Sequence, residues 1–233
     1  MLINSTNKKV LALITARGGS KGLVNKNIRL LNSIPLIAWT IKQAQKSDRI
    51  DRLILSSDDD DIIKIAKDYS CEAPFKREAH LANDTATSDD VILDVLNRIE
   101  DFDTLILLQP TSPLRIREDI DNCLELFERS KPCEMAFSVC EDDKSPHSSL
   151  ELTSDANIKM MFPKHLRKRR QDMPRSYHAN GAVYVIDIEA FKKVGSLAQL
   201  RDQKAYVMPK DRSIDIDDMF DFKFAEVLAS EKT

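Results

Sequence analysis

Glycine is scarce in this 233-residue sequence, with five in all; tryptophan occurs once, and cysteine and histidine four times each. Cys71, Cys123, Cys133 and Cys140 form no CxxC pair and share no metal-ligand spacing with the histidines. That argues against a zinc site or a disulfide framework and leaves reduced thiols as the simplest reading. A positive excess is missing too: 35 Lys and Arg stand against 38 Asp and Glu, for a formal charge of -3. No global field therefore holds nucleic acid or an anionic membrane surface, and any basic site must be local. Met1 to Lys9 is polar, and the first apolar run, Val10 to Ile14, is much shorter than a signal-peptide core or a membrane span. The expectation is a cytoplasmic protein that binds neither nucleic acid nor membrane. There is no internal repeat and no low-complexity stretch.

With 42% hydrophobic residues, the chain is long enough to bury one substantial core. Short apolar runs alternate with segments of helical period. Val10 to Ile14, Leu53 to Leu55, Thr104 to Leu108, Met135 to Val139, Ala182 to Asp187 and Lys204 to Met208 read as strands. Pro35 to Ser47, Asp60 to Tyr69, Ser88 to Ile99, Arg117 to Arg129 and Phe220 to Ala229 read as helices, the last capped by Asp217 or Asp218. Near-continuous apolar strands predict an α/β fold, a doubly wound and mostly parallel sheet covered on both faces. Between Glu141 and Ala179 prolines break the pattern, and Lys164, Arg167, Lys168, Arg169, Arg170 and Arg175 crowd together. The main domain is thus expected over 1–140 and 180–233, with 141–179 an excursion from it. Ligands of such sheets lie outside the carboxyl ends of the strands, which directs attention to the loops after Ile14, Ser56, Leu108 and Ile214.

Three of the five glycines fall in Ala16-Arg17-Gly18-Gly19-Ser20-Lys21-Gly22, followed by Lys26 and Asn27. Backbone N–H groups of such a turn approach an anion closely while Arg17, Lys21 and Lys26 balance its charge, as a polyphosphate requires. Neither the GxxxxGK[ST] nor the GxGxxG spacing is present, and a plain surface turn with solvated lysines fits the composition as well. Ser213-Ile214-Asp215-Ile216-Asp217 alternates polar and apolar residues, and on a strand both aspartates would face one way. Such a pair can share a magnesium ion with substrate phosphates; alternatively Asp217 caps the last helix and Asp215 is solvated. Gln109-Pro110-Thr111-Ser112-Pro113 can present Gln109, Thr111 and Ser112 rigidly to a sugar or base, or serve as a strand-to-helix turn. The Arg167 to Arg170 stretch suits a small carboxylate better than RNA, or is a solvated charge run.

Taken in order, the glycine turn with Lys26-Asn27, Leu108-Gln109-Pro110-Thr111-Ser112-Pro113-Leu114-Arg115, Arg170-Gln171-Asp172, Asn180-Gly181-Ala182-Val183-Tyr184 and Ser213-Ile214-Asp215-Ile216-Asp217 resemble the acylneuraminate cytidylyltransferase family, the CMP-sialic acid synthetases. The resemblance runs from Val10 to about Ala229. It implies a homodimer joined through the excursion, with pairing of dimers left open, a magnesium ion, and CTP and an acidic nine-carbon sugar as substrates. It further implies Arg17, Gly18, Ser20, Lys21, Lys26 and Asn27 at the phosphates and ribose, and Arg77, Ala86 and Ser88 at the cytosine. Gln109, Thr111, Ser112, Arg170, Gln171, Asn180 and Tyr184 are implied at the sugar, Arg170 reaching it from the neighbouring subunit. Asp215 and Asp217 are implied at the metal, and Lys21, Arg17, Asp215 and Asp217 form the catalytic set. Two departures, His178-Ala179 before Asn180 and the absence of a lysine in Ser145 to Ser149, bear on which sugar is used: sialic, legionaminic or pseudaminic acid.

Overall fold

The computed structural model describes residues 8–20, 22–165, 169 and 172–231. Lys21, Arg170 and Gln171 lie outside the described residues. Among the described residues ten strands and six α-helices follow in chain order: β1 (Val10–Thr15), β2 (Leu30–Leu31), β3 (Ile34–Pro35), α1 (Leu36–Ala44), β4 (Arg52–Ser56), α2 (Asp60–Asp68), α3 (Ser88–Arg98), β5 (Thr104–Leu108), α4 (Arg117–Arg129), β6 (Met135–Glu141), β7 (Leu150–Leu152), β8 (Ile158–Met160), β9 (Tyr177–Asp187), α5 (Ile188–Val194), β10 (Gln203–Val207) and α6 (Met219–Ser230). No helix among the described residues is long and apolar enough to cross a membrane.

Six strands form one sheet in the order β10-β6-β9-β5-β1-β4. All neighbours are parallel except β9, which runs antiparallel to both β5 and β6. Because β1 is apolar throughout, its alternate residues feed two cores. Val10, Ala12 and Ile14 pack with α1, α2 and α4, and Leu11 and Leu13 pack with α3 and α5. The doubly wound expectation is met. A smaller core joins Leu31 and Leu36 to Ile216 and to Phe222 of α6.

The expected helices and strands appear within a few residues of their predicted ends, with two instructive differences. The strand read at Ala182 begins at Tyr177 instead, because the returning chain pairs with β6 down to Glu141 before entering the core. Within it the register breaks: Phe137 faces Tyr184 and Val139 faces Ala179, so Asn180 to Val183 bulge out opposite Ser138 alone. Buried side chains satisfy this bulge, with Ala182 N donating to Asn180 Oδ1 at 3.2 Å and Val183 N to Ser138 Oγ at 2.9 Å. The second difference is at 213–217, which forms no strand. The excursion carries the β7–β8 hairpin, paired apart from the main sheet.

Phe127 of α4, 1% exposed, fills the core under the sheet. Phe127→Ala is expected to lower unfolding free energy by about 3–5 kcal/mol, measured by denaturant titration at unchanged m-value.

Candidate active site

The chain leaves β1 for β4 on one side and later enters β5 on the other, so the crevice beyond Thr15 and Leu108 is the topological switch point. A cavity of about 460 Å³ opens there, lined by Thr15, Ala16, Arg17, Ser20, Gly22, Lys26, Asn27, Gln109, Pro110, Thr111, Asp215 and Asp217. The glycine turn, the loop after β5 and the aspartate segment, widely separated in sequence, meet in it.

What brings them together is direct. The Lys26 ammonium donates to the carbonyl oxygen of Ile216 at 2.6 Å and lies 3.6 Å from Asp217 Oδ1. A Cβ on Gly22 would run into the carbonyl oxygen of Asp217, so only glycine lets the turn pass this close. Ile216 N donates to Thr111 O at 2.8 Å, fastening the same segment to the loop after β5. Asn27 is buried and braces the turn by donating to Arg17 O at 3.0 Å.

Both aspartates line one cavity, although no strand alternation puts them there. Asp218, not Asp217, caps α6, accepting from Phe220 N and Asp221 N at 2.7 and 3.0 Å. The Asp217 carboxylate is thereby left on the cavity wall. Burial pushes the Asp215 carboxyl up from its ordinary value and the charge of Asp217 adds to this, while a hydrogen bond with Thr111 and the Lys26 charge oppose it. Two carboxylates beside one cavity, Asp215 disfavoured as an anion by burial and by its neighbour, fit a hard divalent cation that completes its shell with water and phosphate oxygens.

A second cavity of about 250 Å³ adjoins the first, sharing Thr15 and Arg17 and lined also by Arg77, Asn83, Ala86 and Ser88. Arg17 pairs with Asp84 at 3.2 Å and donates to Asn83 O at 3.0 Å, tying the turn to this wall. Asn83 Oδ1 accepts from the backbone of Thr85 and Ala86, both at 2.9 Å, and Thr87 with Asp90 forms the capping box that starts α3 at Ser88. Arg77, 6% exposed, donates to the hydroxyl and carbonyl of Ser56, and burial lowers its pKa to about 10. Three residues expected at one base thus line one wall.

Sugar candidates divide. Gln109 and Thr111 line the main cavity. Tyr184 is half-buried, stacked on Phe137 at 6.0 Å, and its hydroxyl is raised by burial and then by Asp215. Ser112 and Asn180 face the interior instead. Ser112 Oγ donates to Asn180 O at 2.9 Å and Asn180 Nδ2 to Ser213 Oγ at 2.9 Å, with both residues almost fully buried. These bonds tie the loop after β5 to the bulge of β9. Gly181, at φ +71°, sits against the cavity: a Cβ there would lie 2.6 Å from Gln109 Oε1 and 3.5 Å from Asp215 Oδ2.

Sequence reasoning singled out neither Arg115 nor Asp119 for the site. Arg115 is fully buried, donating to Gln109 O, to Ala182 O at 2.8 Å and to Thr40 Oγ1 at 2.6 Å. Only its place one residue after Leu114 in the proline-rich turn hinted at it; burial of an arginine leaves no periodic trace.

A family model described as cytidylyltransferase matches residues 11–230. The chain belongs to that cytidylyltransferase family. Post-translational flagellin modification protein B of Campylobacter coli is 34% identical to it over 229 residues, 96% of each chain. The CMP-N,N'-diacetyllegionaminic acid synthase of Campylobacter jejuni is also 34% identical over 229 residues, again 96% of each. The N-acylneuraminate cytidylyltransferase of Escherichia coli O18:K1:H7 is 32% identical over 224 residues; these are 96% of this chain but 53% of that longer protein. Among solved structures, that of a CMP:2-keto-3-deoxy-manno-octonic acid synthetase complexed with CTP superposes with a TM-score of 0.73 over 97% of this chain and all of the other, at 16% identity. That likeness carries the fold: this cytidylyltransferase has the nucleotidyltransferase α/β architecture.

Two outcomes follow from the geometry. Gly181→Ala forces a left-handed residue to carry a Cβ against Gln109, and its unfolding free energy should fall by at least about 1–2 kcal/mol in denaturant titration. For Asp215, a raised folded-state pKa means that ionisation opposes folding: the penalty is absent below the unfolded carboxylate value of about 3.9 and complete above the folded one. Asp215→Asn should therefore melt above the parent at neutral pH in metal-free buffer by calorimetry, with the gap closing as pH falls to the unfolded value.

Proposed function

We propose that this chain transfers CMP from CTP to the anomeric hydroxyl of a nonulosonic acid, releasing pyrophosphate. The observation that carries the reading is the glycine turn set against the Asp215–Asp217 segment across one cavity, with a second cavity joined to it through Thr15 and Arg17. A nucleotide spans two such cavities, its base against Arg77, Ala86 and Ser88 and its phosphates against Arg17, Gly18, Ser20, Lys21, Lys26 and Asn27. The acidic sugar lies toward Gln109 and Thr111, with Tyr184 nearby. The relatives named for N-acylneuraminate and legionaminic acid support a sugar of this class, sialic, legionaminic or pseudaminic.

The sugar hydroxyl oxygen attacks the α-phosphorus in line; the new O–P bond forms as the bond to the pyrophosphate oxygen breaks, and the hydroxyl proton passes to water. Positioning and charge neutralisation supply the catalysis. Asp215 and Asp217 would hold a magnesium ion, which when bound neutralises phosphate charge and polarises the α-phosphate. Lys26 sets the position of these carboxylates through Ile216 O and shares in balancing the triphosphate. Arg17 and Lys21 offset the remaining phosphate charge.

The reading includes a homodimer. The excursion exposes Leu150, Leu152, Ile158 and Met161, each more than half exposed, an apolar face suited to a second copy whose Arg170 would reach the sugar. A cytidylyltransferase for the eight-carbon acid Kdo is the competing assignment on the same fold. The deciding experiment is pyrophosphate release with CTP, magnesium and N-acetylneuraminic, legionaminic, pseudaminic or Kdo acid in turn, with the other nucleoside triphosphates as controls. A nine-carbon acid with CTP should give turnover, and turnover with Kdo alone would overturn the assignment. In the same assay Asp217→Asn should lower kcat by roughly 10²-fold or more while the fold is kept.

A further inference from the structure

We infer that the ion pair between the buried Asp119 of α4 and the partly exposed Arg212 is a positioning device that aims the Asp215–Asp217 segment at the cavity, and so sets the metal affinity of a site that Asp119 never touches. This rests on the reading of those aspartates as metal ligands.

The argument starts from what the segment lacks. Residues 213–217 belong to no sheet, so no ladder fixes their course. Ile216 is held at its amide by Thr111 O and at its carbonyl by Lys26, and Asp218 starts α6 on the far side. On the near side the chain enters from Arg212, three residues before Asp215. Three residues span at most about 10–11 Å, so the direction in which Arg212 is held governs where Asp215 falls.

Arg212 is held in two places. Its Nε donates to Asp119 Oδ2 at 2.9 Å and its Nη2 to Asp119 Oδ1 at 2.8 Å. Two parallel bonds fix a guanidinium in plane and in direction, as a single contact would not. Asp119 is itself immobilised: it is 0% exposed, and its remaining acceptor capacity takes Ile116 N at 3.0 Å and the Tyr206 hydroxyl at 3.2 Å. One residue beyond Arg212, Ser213 Oγ donates to Pro209 O at 2.8 Å and accepts from the bulge residue Asn180. The entry to the aspartate segment is therefore clamped to α4, β10 and β9 together. Buried ion pairs are poor sources of net stability, whereas bidentate geometry supplies direction. Supporting residues of this kind typically alter metal affinity when removed.

Arg212→Lys keeps the charge and loses the fork, and Asp119→Asn keeps the shape and loses the charge. Each should raise the magnesium concentration for half-maximal turnover by about 10–100-fold, while CTP affinity in EDTA is unchanged. Independently of turnover, the Ile216 amide should exchange its hydrogen faster in metal-free buffer in both variants, with core strand amides unaffected. If Asp119→Asn fails to fold, Arg212→Lys decides, since it leaves the α4 cap intact. Normal magnesium dependence and normal Ile216 exchange in Arg212→Lys would overturn the clamp. Asp217→Asn separates the two readings. A shift there without one in Arg212→Lys sinks the clamp alone; no shift in Asp217→Asn sinks the metal reading, and Ile216 exchange then still decides the clamp.

Discussion

The contact between the Lys26 ammonium and the carbonyl oxygen of Ile216 joins residues 190 positions apart, and the site exists because of it. With Ile216 N on Thr111 O and Gly22 against the Asp217 carbonyl, that contact holds the glycine turn and the aspartate segment together. With it, two acids and the cations Arg17 and Lys26 line one space, a mixed-charge setting of the kind that a metal-bound triphosphate fits. Gly22 is the steric half of the same constraint, since any side chain there would push the Asp217 backbone away.

Beneath the cavity lies an unusual concentration of buried charge. Arg115 and Asp119 are both 0% exposed, and Arg212 reaches Asp119 from the side. The Asp119 carboxylate pairs with Arg212 and acts on Arg115 through its charge alone, while burial lowers the Arg115 pKa to about 9. Such a cluster is costly to desolvate and contributes little net stability. Its value is geometric: it ties the loop after β5 to β9 and α1.

Much of this was legible in the residues. Apolar runs such as Thr104 to Leu108 and the helix Arg117 to Arg129 have the ends that periodicity predicts. Arg17, Gln109, Asp215 and Asp217 are expected in one region and line one cavity, whereas Gly18 lines neither cavity and donates its N–H to Asp58. What periodicity could not express was the path by which they arrive. The alternation at Ser213 to Asp217 suggests a strand, yet tertiary bonds from Thr111 and Lys26 do the aligning. Ser112 and Asn180 look like ligand residues by type, and the bonds they make to one another and to the bulge of β9 had no trace in the sequence. Buried ionic supports such as Arg115, Asp119 and Arg212 carry no local signature, because their meaning depends on elements distant in sequence.

The strand β9 runs without interruption from Tyr177, at the root of the hairpin-bearing excursion, through the bulge to Asp187 in the core. Gly181, which abuts Gln109, stands only four residues from that root. The strand passes behind Gln109 and Asp215 of the pocket and leads out of it, held at the bulge by Ser138 and Asn180. Any torque applied to the excursion reaches the pocket through a handful of covalent bonds, with no relay of packed side chains needed to carry it.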